Sequence, residues 1–150
     1  MAIERAPELE RFAEEGYQAY RRGDVDFIER TLSHDDAVLV VGTDPDEVWS
    51  GHNQVIDALR TDIATMSEEG APESIHRDRV GYHEGDVGWV YNDGAFRLSD
   101  GTEIPTRGLS VLHRENGEWK YVQSLFSIAV PNSALRAESP LAQALSAAMR

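Results

Sequence analysis

Two alternating segments in the last third of the chain predict a long β-hairpin. Residues 106–114 and 119–130 both read as strands, and Asn116-Gly117 lies between them. A two-residue type I′ turn needs positive φ at both central positions, which asparagine and glycine accept. Arg114 then faces Trp119, and strict alternation pairs Val111 with Val122. One face of the hairpin is therefore predicted to carry Arg107, Leu109, Val111, Val122, Ser124 and Phe126.

The opposite face of this hairpin is also largely apolar. It is predicted to carry Ser110, Leu112, Trp119, Tyr121, Gln123, Leu125 and Ser127. A sheet with two largely apolar faces needs two covers, and a chain this short has helices for only one. The second cover is predicted to be another copy of the chain, which gives a homodimer through the outer face of the sheet.

The first half of the chain shows helical periodicity. Residues 7–22 form an amphipathic pattern that Pro7 starts and Gly23 stops. Asp24 is placed to cap a second, shorter helix that runs to about Leu32. A third helix is predicted near residues 52–66, where Val55, Ile56, Leu59 and Ile63 share a face.

Shorter apolar runs predict further strands. A buried strand is expected at 37–41, and others at 74–82, 87–91 and 95–98, with Asn92-Asp93-Gly94 as a turn. Residues 42–51 are predicted to form a loop, and residues 141–149 a last helix. Helices followed by an antiparallel run that curls around them describe an α+β cone. We expect one domain over residues 1–150, with a core at about 7–131 and a C-terminal helical extension at 132–150.

Composition excludes several classes of function. The 150 residues include 27 acidic and 14 basic side chains, for a formal charge of −13, and this field repels nucleic acid and anionic membranes. No cysteine is present, which rules out thiolate catalysis and disulfide scaffolding. We expect no nucleic-acid partner, no membrane partner and a cytoplasmic location, since no apolar run approaches the length of a membrane span.

Several short motifs, in order, resemble a known family. Tyr20-Arg21-Arg22-Gly23-Asp24, Asp35-Asp36-Ala37, Gly42-Thr43-Asp44-Pro45 and Trp49-Ser50-Gly51-His52 are followed by Ile104 to Gly108, Asn116 to Val122 and Phe126-Ser127. This order is similar to that of the SnoaL-like branch of the nuclear transport factor 2 (NTF2-like) superfamily. The resemblance spans about residues 9–131. It implies a strongly bent antiparallel sheet wrapped on N-terminal helices, an apolar internal pocket and a dimer built on the outer sheet face.

The resemblance does not carry one activity, because this superfamily hosts isomerases, dehydratases, cyclases, carriers and oligomerisation modules. Relatives that isomerise ketosteroids use a tyrosine and two acids. At those positions this chain has Gly16, Val41 and a residue at or beside Leu109, so steroid-type isomerisation through them is not expected. An acid/base set relocated to Tyr17 or Tyr20, with His34 or Asp44 near the mouth, stays open.

Arg107 is the polar residue of greatest interest on the predicted inner face. A guanidinium there keeps its charge and needs an anion, either a ligand carboxylate or one of the chain's many acids. Ser124 shares that face and is a second candidate ligand contact. The aromatic candidates for lining a pocket, or alternatively for filling the core, are Tyr17, Tyr20, Trp49, Trp89, Tyr91 and Phe126.

The sequence offers no signal for a metal or cofactor. The five histidines have no metal-ligand spacing, and the glycines are scattered singly rather than grouped in a phosphate loop. Three functions remain open: binding of a small hydrophobic molecule, cofactor-free isomerase, cyclase or dehydratase chemistry on such a molecule, and an oligomerisation or regulatory role. A perturbed ionisable group in the cavity indicates an enzyme, and a plugged cavity indicates the third role.

Overall fold

The computed structural model describes residues 1–150 and contains four α-helices. Gly23, with φ of 74°, ends the first helix in a left-handed conformation, and the Asp24 side chain caps the second by accepting from Phe27 N at 3.0 Å. The predicted helices are confirmed, and the third extends beyond residue 66. The helices are α1 (Pro7–Arg22), α2 (Val25–Thr31), α3 (His52–Glu69) and α4 (Pro140–Ala148), with a 3-10 turn at Asn132–Leu135 before α4.

Seven strands form one bent sheet. They are β1 (Glu4–Arg5), β2 (Leu39–Val41), β3 (Val48–Ser50), β4 (Glu73–Glu84), β5 (Val87–Arg97), β6 (Glu103–Glu115) and β7 (Glu118–Ile128). The order is β1-β4-β5-β6-β7-β2-β3, and every pair is antiparallel except β2 with β7, which is parallel. The α+β class is confirmed. The predicted loop at 42–51 contains β3, and β1 was not predicted.

The predicted turn at Asn92-Asp93-Gly94 is wrong, because β5 runs through these residues without a break. Gly94 is needed there for close approach: a Cβ at this position would lie 2.4 Å from the carbonyl oxygen of Ile75 on β4. The register between β4 and β5 also shifts between His76 and Asp78. The glycine therefore marks an irregularity inside a paired strand rather than a reversal of the chain.

The predicted hairpin is correct at its turn and wrong beyond it. Asn116 and Gly117 have φ of 51° and 84°, and Arg114 pairs with Trp119 as expected. A bulge then shifts the register at Val122, so that Val111 faces Gln123 rather than Val122. Past the bulge the pairs are Ser110 with Ser124, Leu109 with Leu125, Gly108 with Phe126 and Arg107 with Ser127.

The bulge changes which side chains share a face. On β6 the buried positions are Gly108, Ser110 and Leu112, and these define the inner face, which packs toward the helices. On β7 the inner positions are Tyr121, Ser124 and Phe126. The opposite, outer face carries Arg107, Leu109, Val111, Gln123, Leu125 and Ser127. Arg107, Leu109 and Val111 were thus predicted on the wrong side relative to Ser124 and Phe126.

The core consists of two small clusters rather than one. Ala6, Leu9, Ala13, Val90 and Leu112 pack between α1 and the sheet, and Leu32, Val38, Val55 and Ile56 pack around α2 and α3. Tyr121 contacts both clusters. Only 18 of 150 residues are buried, a small core that matches a hollow interior and an uncovered sheet face. No helix combines the length and apolarity that crossing a membrane requires.

Candidate functional site

A cavity of about 420 Å³ lies between the helices and the inner face of the sheet. Helices α1, α2 and α3 and strands β2 to β7 all contribute to its wall, which is mostly apolar. This volume falls within the usual range for small-molecule pockets. Phe126 lines the cavity and is 45% exposed, so it lies where the cavity opens to solvent. Gly108 leaves room for the Phe126 ring, since a Cβ there would lie 3.1 Å from that ring.

Most of the predicted site residues surround this cavity. Tyr17 and Tyr20 reach it from α1, Trp49 from β3, and Ser124 and Phe126 from β7. The Ser124 hydroxyl is 2.8 Å from that of Ser110, so each of the two has a hydrogen-bond partner on the neighbouring strand. The structure therefore brings these five predicted residues together around one space.

The structure does not bring Trp89 and Tyr91 to the cavity. They alternate with Val90, which belongs to the core, so their side chains lie on the outer face. There the Trp89 ring stacks on Tyr82, with ring centroids 6.3 Å apart. The sequence could not assign their side because the predicted turn at residues 92–94 interrupted the alternation.

Arg107 borders the cavity but is exposed, because the positions on either side of it along β6, Thr106 and Gly108, are the ones that face inward. No carboxylate lies within ion-pair distance of its guanidinium. The predicted anion contact by Arg107 depended on a register that the bulge overturns.

A different arginine forms the polar end of the cavity. The Arg79 side chain is only 10% exposed, and its guanidinium forms an ion pair with Glu14 of α1. Arg79 Nε donates to Asn92 Oδ1 at 2.5 Å, and Nη2 lies 3.5 Å from His76 Nδ1. Hydrogen bonds from Arg79 and Gln18 lower the pKa of Glu14. Burial, and then the charge of Arg79, lower the pKa of His76, so this imidazole is neutral at pH 7.

Tyr121 places a hydroxyl beside this end of the cavity. Its oxygen occupies the space next to Gly16, where a Cβ would come within 2.7 Å of it. The hydroxyl makes no hydrogen bond within the protein, and its oxygen keeps accessible surface at the wall of the cavity. Burial raises the pKa of Tyr121, which keeps the phenol protonated and available as a donor at neutral pH. The space beside Gly16 on α1 is thus filled by the phenol oxygen of a residue on β7.

The contact between Gly16 and Tyr121 gives a prediction. Gly16→Ala adds a methyl group that displaces the Tyr121 phenol, and this lowers the free energy of unfolding by about 1–3 kcal/mol. The higher helix propensity of alanine raises the free energy of unfolding by at most about 1 kcal/mol. In the Tyr121→Phe protein the phenol oxygen is absent, so Gly16→Ala is expected to raise the free energy of unfolding. A double-mutant cycle from urea denaturation is expected to give a coupling of at least about 1 kcal/mol. Additive effects would show that Tyr121 does not occupy this space.

A second polar group lies on another part of the wall. Tyr20, Glu47 and Asp62 all line the cavity there. Burial, followed by the charges of Asp62 and Glu47, raises the pKa of Tyr20 to about 12. Burial and the charge of Glu47 raise the pKa of Asp62. Asp62 is therefore an acid/base candidate, because it has a raised pKa and faces an apolar space.

The other acid/base candidates from the sequence lie outside the cavity. His34 stacks on His52 with ring centroids 3.7 Å apart, and Asp44 accepts a hydrogen bond from Asp46 N within its own loop. Sequence reasoning missed Arg79, His76, Asn92, Asp62 and Tyr121. Only Tyr121 lay in an element whose two faces the sequence predicted, namely the hairpin. The predicted register put it on the face that does not carry Ser124 and Phe126. His76 and Arg79 project from a strand whose inward face was not assigned, and Asn92 fell in the predicted turn. Asp62 directly precedes Ile63, a member of the apolar face that was predicted for the third helix.

The family model for the SnoaL-like domain matches residues 9–131. An NTF2-like protein of unknown function from Pseudomonas putida KT2440 is 12% identical, with a TM-score of 0.67 over 92% of this chain and 99% of that one. A proposed dehydratase of the NTF2-like family from Streptomyces avermitilis is 18% identical, with a TM-score of 0.63 over 77% of this chain and 88% of that one.

A proposed ketosteroid isomerase from Shewanella frigidimarina is 14% identical, again with a TM-score of 0.63, over 77% of this chain and 90% of that one. At these identities the likeness establishes the fold alone. No curated protein matches the chain.

Proposed function

This chain belongs to the SnoaL-like family of the NTF2-like superfamily, and from that premise we propose that its cavity binds a small, ring-bearing hydrophobic molecule. The observation that carries the proposal is the space of about 420 Å³ that the core clusters leave between sheet and helices. Side chains do not fill it, which favours binding over a purely structural role for the domain.

The lining residues fit a flat apolar ligand. Trp49, Phe126, Tyr17 and Tyr20 provide aromatic surface along the wall, and aromatic faces bind rings through stacked or edge contacts. The polar groups are few and gathered in two places, around Arg79 and around Asp62. Such a wall supplies affinity through apolar burial and orientation through a small number of directed contacts.

Cofactor-free chemistry on the bound molecule is the second candidate function. It is favoured by Asp62, whose pKa is raised by burial and by Glu47, and by His76, which is neutral at pH 7. Each is able to exchange a proton with a ligand in the cavity, as an isomerase, cyclase or dehydratase requires. Neighbours in fold include proteins described as a proposed dehydratase and a proposed ketosteroid isomerase.

Binding of 2-naphthol, a neutral two-ring probe, tests the cavity. Ser124→Phe adds a ring to the inner face, and we expect it to weaken binding at least about tenfold, or about 1.4 kcal/mol. Ser127→Phe adds the same ring to the outer face of the same strand and is expected to leave affinity unchanged. Fluorescence titration measures both. Equal affinities for the two variants, or no binding by the parent protein, would contradict the proposal.

We also propose that two copies associate through the outer face of the sheet. Leu109 and Leu125 are cross-strand neighbours on that face and are 45% and 52% exposed. Tyr82, Trp89 and Tyr91 extend the apolar surface over β4 and β5. A contiguous exposed apolar patch of this kind is typical of an interface between subunits.

A further inference from the structure

The polar end of the cavity identifies a class of ligand. Resting on the proposed binding function, we propose that the cavity selects ring compounds that carry a carboxylate, and that Arg79 and Tyr121 together bind this carboxylate. The apolar wall holds the ring, and the guanidinium and phenol hydroxyl donate to the two oxygens.

Arg79 has the charge and the free donors that this role needs. A guanidinium has five N–H groups, and the contacts to Glu14, Asn92 and His76 use three of them. The side chain is 10% exposed, whereas that of Glu14 is 43% exposed, so solvent screens the carboxylate partner more than the cation. Asn92 is neutral, and so is His76 at pH 7. Two N–H groups of this largely buried guanidinium therefore have no partner in the protein, and a ligand carboxylate in the cavity can accept from them.

Tyr121 supplies the second donor. Its hydroxyl lies at the wall without a protein partner, and its phenol stays protonated at neutral pH. A hydroxyl that faces the cavity without a protein partner can donate to a ligand oxygen. Arg79 pairs with Glu14 and the Tyr121 oxygen lies beside Gly16, so both groups lie against the same part of α1 and line the same cavity. One carboxylate can satisfy both.

The rest of the cavity sets the orientation of such a ligand. Asp62 and Glu47 act on Tyr20 in one part of the wall, where no cation faces them except Arg21. The other part carries the Arg79 guanidinium together with Glu14, Asp78 and Asp93. A carboxylate is repelled by Asp62 and Glu47, and in the other part the Arg79 guanidinium is the group that donates to it. The overall charge of −13 opposes the approach of any anion, so selectivity for one must come from local donors.

Two matched compounds test the inference: 1-naphthoate and its neutral analogue 1-naphthamide, with dissociation constants measured by calorimetry at pH 7.5. We expect the parent protein to bind 1-naphthoate at least about tenfold more tightly than the amide. A difference in affinity of this size is what one charge-assisted hydrogen bond contributes. Arg79→Gln is expected to reduce this preference to below about threefold, and Tyr121→Phe to lower it severalfold. Arg107→Gln removes an exposed arginine on the outer face and is expected to keep the full preference.

Other results would overturn the inference in distinguishable ways. If both compounds bind the parent protein equally, or if Arg107→Gln rather than Arg79→Gln abolishes the preference, the carboxylate site is wrong while cavity binding stands. If neither these compounds nor 2-naphthol bind, the proposed function fails as well. Circular dichroism reports whether Arg79→Gln folds. Should it not fold, full preference in Tyr121→Phe protein overturns the inference and a severalfold loss supports it.

Discussion

Leu112→Ala is expected to lower the free energy of unfolding by about 3 kcal/mol, within the range for deleting a fully buried leucine. Leu112 has no exposed surface and belongs to the cluster formed with Leu9, Ala13 and Val90. The loss combines the transfer free energy of the missing methyl groups with the cost of a new void. That void would lie beside Tyr121, which packs on the same cluster. Urea denaturation followed by circular dichroism measures the change.

Leu145→Ala is the matched control for this substitution. Leu145 is 44% exposed on α4, away from both core clusters, and its truncation is expected to change stability by less than about 0.5 kcal/mol. The comparison also tests the register of the hairpin, because the simple alternation in the sequence put Leu112 on the side opposite Ser124. An effect below about 1 kcal/mol for Leu112→Ala would mean that this side chain points away from the helices.

Leu125→Glu is expected to dissociate the proposed dimer, with a rise of at least about 100-fold in its dissociation constant, or about 2.7 kcal/mol. Leu125 is 52% exposed beside Leu109 on the outer face. In a two-fold symmetric interface the substitution enters twice, so two carboxylates lose solvation in subunits that already carry a charge of −13 each. Sedimentation equilibrium across a range of protein concentrations measures the constant.

Leu141→Glu makes the same chemical change on α4 and is expected to leave association intact. Leu141 is 37% exposed and lies outside the sheet. A parent protein that sediments as a monomer at every concentration would contradict the proposed interface. Equal dissociation by the two variants would place the contact elsewhere.

The elements with strong local signals could be predicted from the sequence. The helix ends at Gly23 and Asp24 follow from the left-handed conformation of glycine and from the side-chain cap of aspartate. The turn at Asn116-Gly117 follows from the positive φ that both residues accept. The order of the motifs was sufficient to identify the family, and the family resemblance implied a cone-shaped fold with an internal pocket.

The register of the sheet beyond the turn could not be predicted, and the candidate site changed with it. One extra residue at Val122 moves every later side chain of β7 relative to β6, and no residue type in the sequence announces that bulge. Arg107 was therefore predicted on the inner face and Tyr121 on the outer face, whereas the structure has them the other way round. Arg79 depends on the side chains of Glu14 and Asn92, which are 65 and 13 residues away in sequence. Contacts over such separations are a property of the folded chain and leave no local pattern.

A crystal structure of the protein grown with 1-naphthoate tests directly whether the space between sheet and helices holds a small molecule. We expect electron density for the ring inside the cavity, against Trp49 and Phe126, with the carboxylate at Arg79 and Tyr121. Density confined to the outer surface, or side chains of the two core clusters closing the space, would contradict this expectation.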